Sequence, residues 1–498
     1  MLEFSLSSTK EGKGAIVATI GPASDTPEML EKMLQAGLDV VRLNLSHGKH
    51  EDAKRRFETV RDVNDSIPIL FDLSGPKIRI GEMEKTVVLR KDDELILTKE
   101  EIMGHGKKVS VSYKDLIDFA AVGNSLFLND GLIRVEVVEK SKDNLITKVI
   151  HGGPLSSRKG INAPDIGIKL FSPTDKDIKD LDFTLGLEPD FYSVSFVRRA
   201  EDIQTVRDII SSSTDDRVPL ISKIEHKDAV LDIKNILKAS DGIMVARGDL
   251  GVELPPEEVP MLQEQLVNMC KSAAKQSIVA TQMLESMVVS PRATRAETSD
   301  VANAILQGAD AVMLSAETAT GEYPVEAIAA MDRIILTTQS YVPKRMKIGL
   351  TENPSIAESI GQSAVQLADG LDVDYIIAYT RSGSSSSLVS KFRPNQPIIS
   401  VTPSKATSRR LRLQWGVFPL YLGRDFTDTD EMIHAGIQMA YDEKMIEKES
   451  KCVVVAGSLL GLPWETNLIQ YYEAETVISS LEATARFAKA YSIVPGDN

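Results

Sequence analysis

The stretch VVRLNLSHGKH, Val40 to His50, alternates with period two. Arg42, Asn44 and Ser46 fall on one face of a strand, and Val41, Leu43 and Leu45 on the other. Taken alone, this describes a sheet surface facing water, because antiparallel strands commonly alternate in this way. The reading changes if other strands carry polar groups at the same end. Upstream, AIVATIGP (Ala15 to Pro22) reads as a strand, and TPEMLEKMLQAG has helical spacing that stops at Gly37. Downstream, PILFDLSG (Pro68 to Gly75) is a third strand. From Pro76 to Lys169 the chain turns to short β runs separated by turns, which predicts an inserted all-β domain.

Strand–helix alternation then resumes, with strands in DFYSVSFV, PLISKIE, GIMVARGDL, SIVATQM and AVMLSAET. Eight strands, each followed by a helix or an insertion, predict a (β/α)8 TIM barrel, with an open doubly wound sheet as the alternative. The strand count favours the barrel. So do polar residues late in the strands, where barrel sites form. The expected division is a barrel from 1–74 and 171–341, and a β-barrel lid from 75–170. An α/β parallel-sheet domain is expected over 342–472, opening with the linker YVPKRMKIGLTENPS and its α/β unit running from about Ile356, and a helical tail of no assigned role spans 473–498.

Composition narrows the function classes. The 498 residues are 42% hydrophobic and 26% charged, ordinary values for a globular chain. A formal charge of −15 argues against general nucleic-acid binding, which needs a basic face, but leaves room for small anions at a local positive cluster. Cys270 and Cys452, far apart, provide neither a disulfide framework nor a metal-spacing motif. The first residues lack a signal-peptide run and no segment reaches the ~18 apolar residues of a membrane span. The expectation is a soluble, cytoplasmic protein.

The strand ends carry the chemistry. Asp72, Ser74, Lys77 and Arg79 follow strand three, Lys223 and Glu225 share a face of strand five, and Arg247 and Asp249 end strand six. Thr281 ends strand seven, and Ser315 and Glu317 end strand eight. In a closed barrel these ends converge, so Arg42, Asn44 and Ser46 face a site. Glu225 and Asp249 suit a hard dication such as Mg²⁺, which takes a few carboxylates and completes its shell with substrate and water. A plain Lys223–Glu225 salt bridge is the alternative. Cations converging beside a carboxylate-held Mg²⁺ are the equipment of phosphoryl transfer. ARGDLG could present backbone N–H groups to an anion, or be only a tight turn. Arg158 and Lys159, in SSRKGINAP, stand available to phosphates on the lid, which could exclude water.

The motifs RLNLSHG, DLSGPKIR, GGPLSSRKGINAP, ISKIE, MVARGDLGVE, ATQMLESM with PRATRAE and SDVANAI, and MLSAETATGEYP resemble those of pyruvate kinases, in the family's order and over nearly the whole chain. The resemblance implies phosphoryl transfer from phosphoenolpyruvate to ADP, the last step of glycolysis. It implies Mg²⁺ on Glu225 and Asp249, Lys223 neutralising the phosphoryl group, and Arg42 and Arg79 supporting it, with Lys159 on the nucleotide side. The turn Ala246, Arg247, Gly248, Asp249 would seat the substrate carboxylate, and Thr281 would lie near the carbon that is protonated. A second Mg²⁺ would arrive with ADP. The family commonly has Glu where this chain has Lys77, and members with Glu generally need K⁺ near the positions of Asn44, Ser46 and Asp72. Leu73 also replaces a threonine there. A fixed ammonium can supply the charge of that cation, so K⁺-independent turnover is expected. Ala316 and Thr298 replace common glycines. In YTRSGSSSS, Thr380, Ser382, Ser384 and Ser385 would cradle an effector phosphate. The basic-free loop GSLLGLPWETN favours a sugar-phosphate or nucleotide monophosphate, or no effector at all, over a bisphosphate. A homotetramer is expected. A Mg²⁺-dependent oxo-acid aldolase or lyase, and a non-catalytic metabolite sensor, are the other readings.

Overall fold

A computed structural model describes residues 12–46, 48–164, 166–167, 170–342, 349–457 and 465–481. Eight strands form β1 (Ala15–Thr19), β2 (Val40–Asn44), β3 (Ile69–Asp72), β4 (Phe191–Val194), β5 (Leu220–Ile224), β6 (Gly242–Ala246), β7 (Gln276–Ala280) and β8 (Ala311–Leu314). They pair in parallel in chain order, and β8 closes on β1. The closure excludes the open sheet. The parity of Val40–Ser46 explains the layering. Val40 faces a barrel interior built with Val17, Leu70, Ile221 and Met244. Val41, Leu43 and Leu45 face outward under the helices, with Ile69 and Phe71. A one-residue slip would exchange these apolar groups for Arg42, Asn44 and Ser46. Each buried aliphatic side chain is worth about 1.5–3 kcal/mol, so the register is strongly specified.

Local chemistry starts and stops the surrounding helices. Thr26 caps Pro27–Gln35 by accepting the Met29 N–H, and Gly37 (φ +112°) turns the chain into β2. Thr294 and Glu297 form a capping box on Arg295–Leu306.

The insertion leaves the barrel after β3. Its six-stranded sheet runs Ile161–Asn162, Ser125–Leu128, Ile133–Lys140, Asn144–His151, Glu94–Thr98, Lys108–Ser110, beside a strand pair Val87–Leu89 and Gly153–Leu155. It has its own apolar core. The insertion is not wholly β, because Asp115–Phe119 forms a short helix whose Leu116 and Ile117 enter that core.

The C-terminal sheet has strands β9 (Tyr375–Tyr379), β10 (Ile398–Thr402), β11 (Val417–Tyr421), β12 (Lys451–Ala456) and β13 (Leu468–Glu473), in the order β11-β10-β9-β12-β13. The sheet is mixed rather than parallel. β13 pairs antiparallel with β12 as a half-exposed edge, so its alternation is weak in the sequence. Residues 474–481 are helical, and Ala474, Val477 and Ile478 pack into this domain. The rest of the tail, and 343–348 of the linker, lie outside the described residues. Buried ion pairs join this domain to the barrel. Arg393 donates to Asp310 at 2.9 Å, and Arg409 to Asp190 at 2.6 Å. Asp190 also takes Arg61 at 2.6 Å and the Ile69 N–H at 2.9 Å.

Candidate active site

The C-terminal ends of the barrel strands and the insertion enclose a cleft of about 470 Å³. β2 points Arg42, Asn44 and Ser46 into it, as their shared parity requires. Asp72 lines it from the end of β3 and Ser74, Lys77 and Arg79 from the segment after, with Lys223 on β5 and Glu225 just past its end. Ala246, Asp249, Thr281 and Ser315 also line the barrel side, and Lys159 faces them from the insertion.

A chain of charges runs across the floor. Arg42 is buried and donates from Nε to Asp72 Oδ2 at 2.9 Å and from a terminal nitrogen to Thr19 Oγ1 at 2.7 Å. Lys223 Nζ lies 3.5 Å from the same Asp72 oxygen and 3.0 Å from Glu225 Oε1, and donates to Ser195 Oγ at 2.8 Å. Glu225 Oε2 accepts the Phe196 N–H at 2.7 Å. Phe196 has φ +53°, a left-handed backbone that aims this N–H inward.

Burial and charge set the protonation of these groups. Burial alone would push the Asp72 carboxyl up, but Lys223 and Arg42 outweigh it and hold it below the usual range. Burial also opposes the Lys223 ammonium, yet Asp72 and Glu225 hold its pKa above the ordinary value. Glu225 is raised, first by burial and then by the neighbouring charge of Asp249, against the pull of Lys223. Two carboxylates that repel across a cleft are a donor set a hard dication fits. Among the described residues no group of three or more His, Cys, Asp or Glu could hold a metal by itself. A dication on Glu225 and Asp249 would therefore draw its remaining ligands from substrate and water.

The fold therefore presents a lysine clamped between two acids, a carboxylate pair, and arginines and a lysine facing them from two domains. A family model described as "Pyruvate kinase, barrel domain" matches residues 11–328, and one described as "Pyruvate kinase, alpha/beta domain" matches 358–470. A pyruvate kinase of Geobacillus stearothermophilus is 41% identical over 96% of this chain and 84% of its own length. One of Bacillus licheniformis is 39% identical over 98% and 84%, and one of Sporosarcina psychrophila 40% over 92% and 80%. The chain belongs to the pyruvate kinase family. It is a phosphotransferase.

Within this pyruvate kinase frame, three expected side chains do not reach the cleft. Arg247 turns away, donating to Asp300 at 2.7 Å and to the Thr281 carbonyl at 2.7 Å. β6 ends at Ala246 and Arg247 opens the helix Arg247–Glu253, so strand parity no longer applies. Leu73 is buried in the layer under the helices, on the opposite parity to Asp72, and only its carbonyl is turned inward, to Ser195 Oγ. Glu317 is buried and accepts the backbone N–H groups of Ser315 and Leu284. In the ARGDLG turn, Thr281 Oγ1 accepts the Gly248 N–H at 2.8 Å, which ties the turn to β7. Thr281 itself has φ +69°.

Lys77 meets Asp249 at 2.8 Å and Asp130 at 3.3 Å rather than Asp72. Arg79 donates to the Arg158 carbonyl at 3.1 Å, which fixes the lid turn, and Arg158 pairs with Glu82. Two serines carried no expectation: Ser193 donates to Asp72 at 2.7 Å, and Ser195 donates to the Leu73 carbonyl at 2.6 Å and lies 3.4 Å from Asp72. Their i, i+2 spacing, Ser193 on β4 and Ser195 just past its end, was a readable signal. Phe196 and Asp130 carried none.

The expected effector residues Thr380, Ser382, Ser384 and Ser385 line one pocket of the C-terminal domain, together with Arg381 and Arg424. Thr380 Oγ1 accepts the Gly383 N–H at 2.9 Å, and Ser385 bonds Thr466 at 2.6 Å. Residues 458–464 of the GSLLGLPWETN loop lie outside the described residues.

Proposed function

We propose that this protein transfers the phosphoryl group of phosphoenolpyruvate to ADP, forming pyruvate and ATP in the last step of glycolysis. One observation carries the reading: the Lys223 ammonium stands 3.0 Å from Glu225 and 3.5 Å from Asp72 on the cleft floor. Phosphoryl transfer is positioning and charge neutralisation, and such an ammonium is preorganised for a migrating PO₃⁻. In the transfer, the bond from phosphorus to the enol oxygen breaks and one from phosphorus to a β-phosphate oxygen of ADP forms. The enolate left behind takes a proton at its terminal carbon, through a water near Thr281. Arg42 and Arg79 contact phosphate, and Lys159 meets the nucleotide from the lid. The turn Ala246–Asp249 seats the substrate carboxylate on backbone N–H groups, with Gly248 exchanging its bond to Thr281 Oγ1 for one to the substrate. Glu225 and Asp249 would hold a Mg²⁺, which would supply Lewis acidity and template charge, and a second would accompany ADP.

Lys77 supplies the charge that K⁺ brings to other members, so turnover is K⁺-independent. Its support is an ammonium fixed inside the cleft. The Thr380–Ser385 pocket takes a sugar-phosphate or nucleotide monophosphate effector, supported by Arg381 and Arg424 beside its hydroxyls. The working protein is a cytoplasmic homotetramer, its barrel, lid and C-terminal units divided near residues 74, 170 and 341. No helix among the described residues is long and apolar enough to cross a membrane.

The test is pyruvate formation from phosphoenolpyruvate and ADP, with and without K⁺. No pyruvate would favour the lyase or sensor readings. A several-fold loss when tetramethylammonium replaces K⁺ would refute K⁺ independence.

A further inference from the structure

The Lys77 side chain joins three separate segments. Its ammonium bonds Asp249 Oδ1 at 2.8 Å, on the helix after β6, and Asp130 Oδ1 at 3.3 Å, in the insertion. Asp130 sits in a turn whose three residues, Asn129, Asp130 and Gly131, all have positive φ (53°, 54° and 86°). The lysine stem passes close over Gly160, where an added Cβ would stand 2.7 Å from Lys77 Cε, so a side chain there would displace the stem. The ammonium also lies 5.9 Å from the Phe196 ring centroid. This is a built seat for one positive charge, shared by the barrel and the lid.

Its position matters because Asp249 is one of the two proposed dication ligands. A carboxylate oxygen at a contact distance of about 2.1 Å from Mg²⁺ cannot keep an ammonium in its hydrogen-bonding lobe without pressing like charges together. We propose that Lys77 is an internal competitor for the divalent-cation site, holding Asp249 until the dication displaces it. This rests on reading Glu225 and Asp249 as the metal ligands. Binding the dication and freeing the Lys77 charge are then one event. The ammonium that replaces K⁺ is stored on Asp249, and becomes available to the substrate phosphate only when the metal is in place.

The test is Mn²⁺ binding to the protein without substrates, followed by the loss of the free-ion electron paramagnetic resonance signal. Lys77→Met keeps a straight stem and removes the charge; Mn²⁺ should bind it at least fivefold more tightly than the wild type. Lys77→Arg keeps the charge and should stay within twofold of the wild type. Asp249→Asn should abolish binding at this site. Unchanged or weaker binding by Lys77→Met, or equal tightening by Lys77→Arg, overturns the competitor role while leaving the metal site intact. Undiminished binding by Asp249→Asn overturns the metal-site reading and the proposal with it. If Lys77→Met does not fold, Lys77→Gln carries the same comparison.

Discussion

Replacing Lys223 with methionine removes the central charge of the cleft and keeps most of the side-chain volume. In the wild type its ammonium lies 3.0 Å from Glu225, 3.5 Å from Asp72 and 2.8 Å from Ser195. A unit charge pair near 4 Å is worth ~4 kcal/mol at an effective dielectric constant of about 20. If the ammonium meets the migrating phosphoryl group at such a distance, its loss lowers kcat by roughly a thousandfold, at 1.36 kcal/mol per decade. Asp72 keeps Arg42 as a partner, and Glu225 keeps the Phe196 N–H. The Glu225 pKa, already raised, therefore rises further, and the acid limb of kcat/KM moves to higher pH, because the ionised carboxylate is the form that holds a dication. Pyruvate formation coupled to NADH oxidation by lactate dehydrogenase measures both quantities, and a thermal melt confirms folding. A Lys223→Met enzyme with kcat within tenfold of the wild type, or with an unmoved acid limb, would refute the role assigned to this lysine.

Four further outcomes are expected. Asp190→Asn neutralises the buried carboxylate shared by Arg61 and Arg409, and should cost about 3–5 kcal/mol in urea unfolding; a loss below about 1 kcal/mol would contradict that. Gly75→Ala forces a side chain into a left-handed site (φ +64°) with its Cβ 2.8 Å from Ser195, so it should lose at least about 1 kcal/mol and also kcat, since Ser195 orients Lys223. A variant as stable and active as the wild type would count against the contact. Both cysteines are buried; burial raises the Cys270 thiol and pushes Cys452 up to about 12, so neither should react with a disulfide reagent at pH 8 until the chain is unfolded. Asp72 has a folded pKa below its unfolded value, so its stabilisation is present above the ordinary carboxyl range near 4 and is lost as pH falls through the lower folded value. The urea midpoint of the wild type should therefore drop more steeply below pH 4 than that of Asp72→Asn.

The barrel and most of its site were legible because they follow from parity. A strand repeats every two residues, so Arg42, Asn44 and Ser46, or Lys223 and Glu225, share a face whatever surrounds them. Apolar partners such as Val41 and Leu43 force that face inward at the barrel mouth. Parity failed where the strand ended. Arg247 belongs to a helix turn, and its side chain anchors Asp300 instead of facing substrate. The antiparallel β13 was missed because a half-exposed edge strand needs little alternation to be stable.

The order of apolar and polar residues along Val40–Ser46 and its seven counterpart strands was sufficient for a closed parallel barrel with charge gathered at one rim, because burying one parity leaves the other no alternative. Partner choice within that rim depended on three-dimensional placement. Lys77 precedes Asp249 by 172 residues, and only the crossing of the lid over the barrel brings its ammonium to 2.8 Å from that carboxylate instead of to Asp72. Strand periodicity is local and readable along the chain; a contact between charges on different segments exists only once the backbone has set their distance.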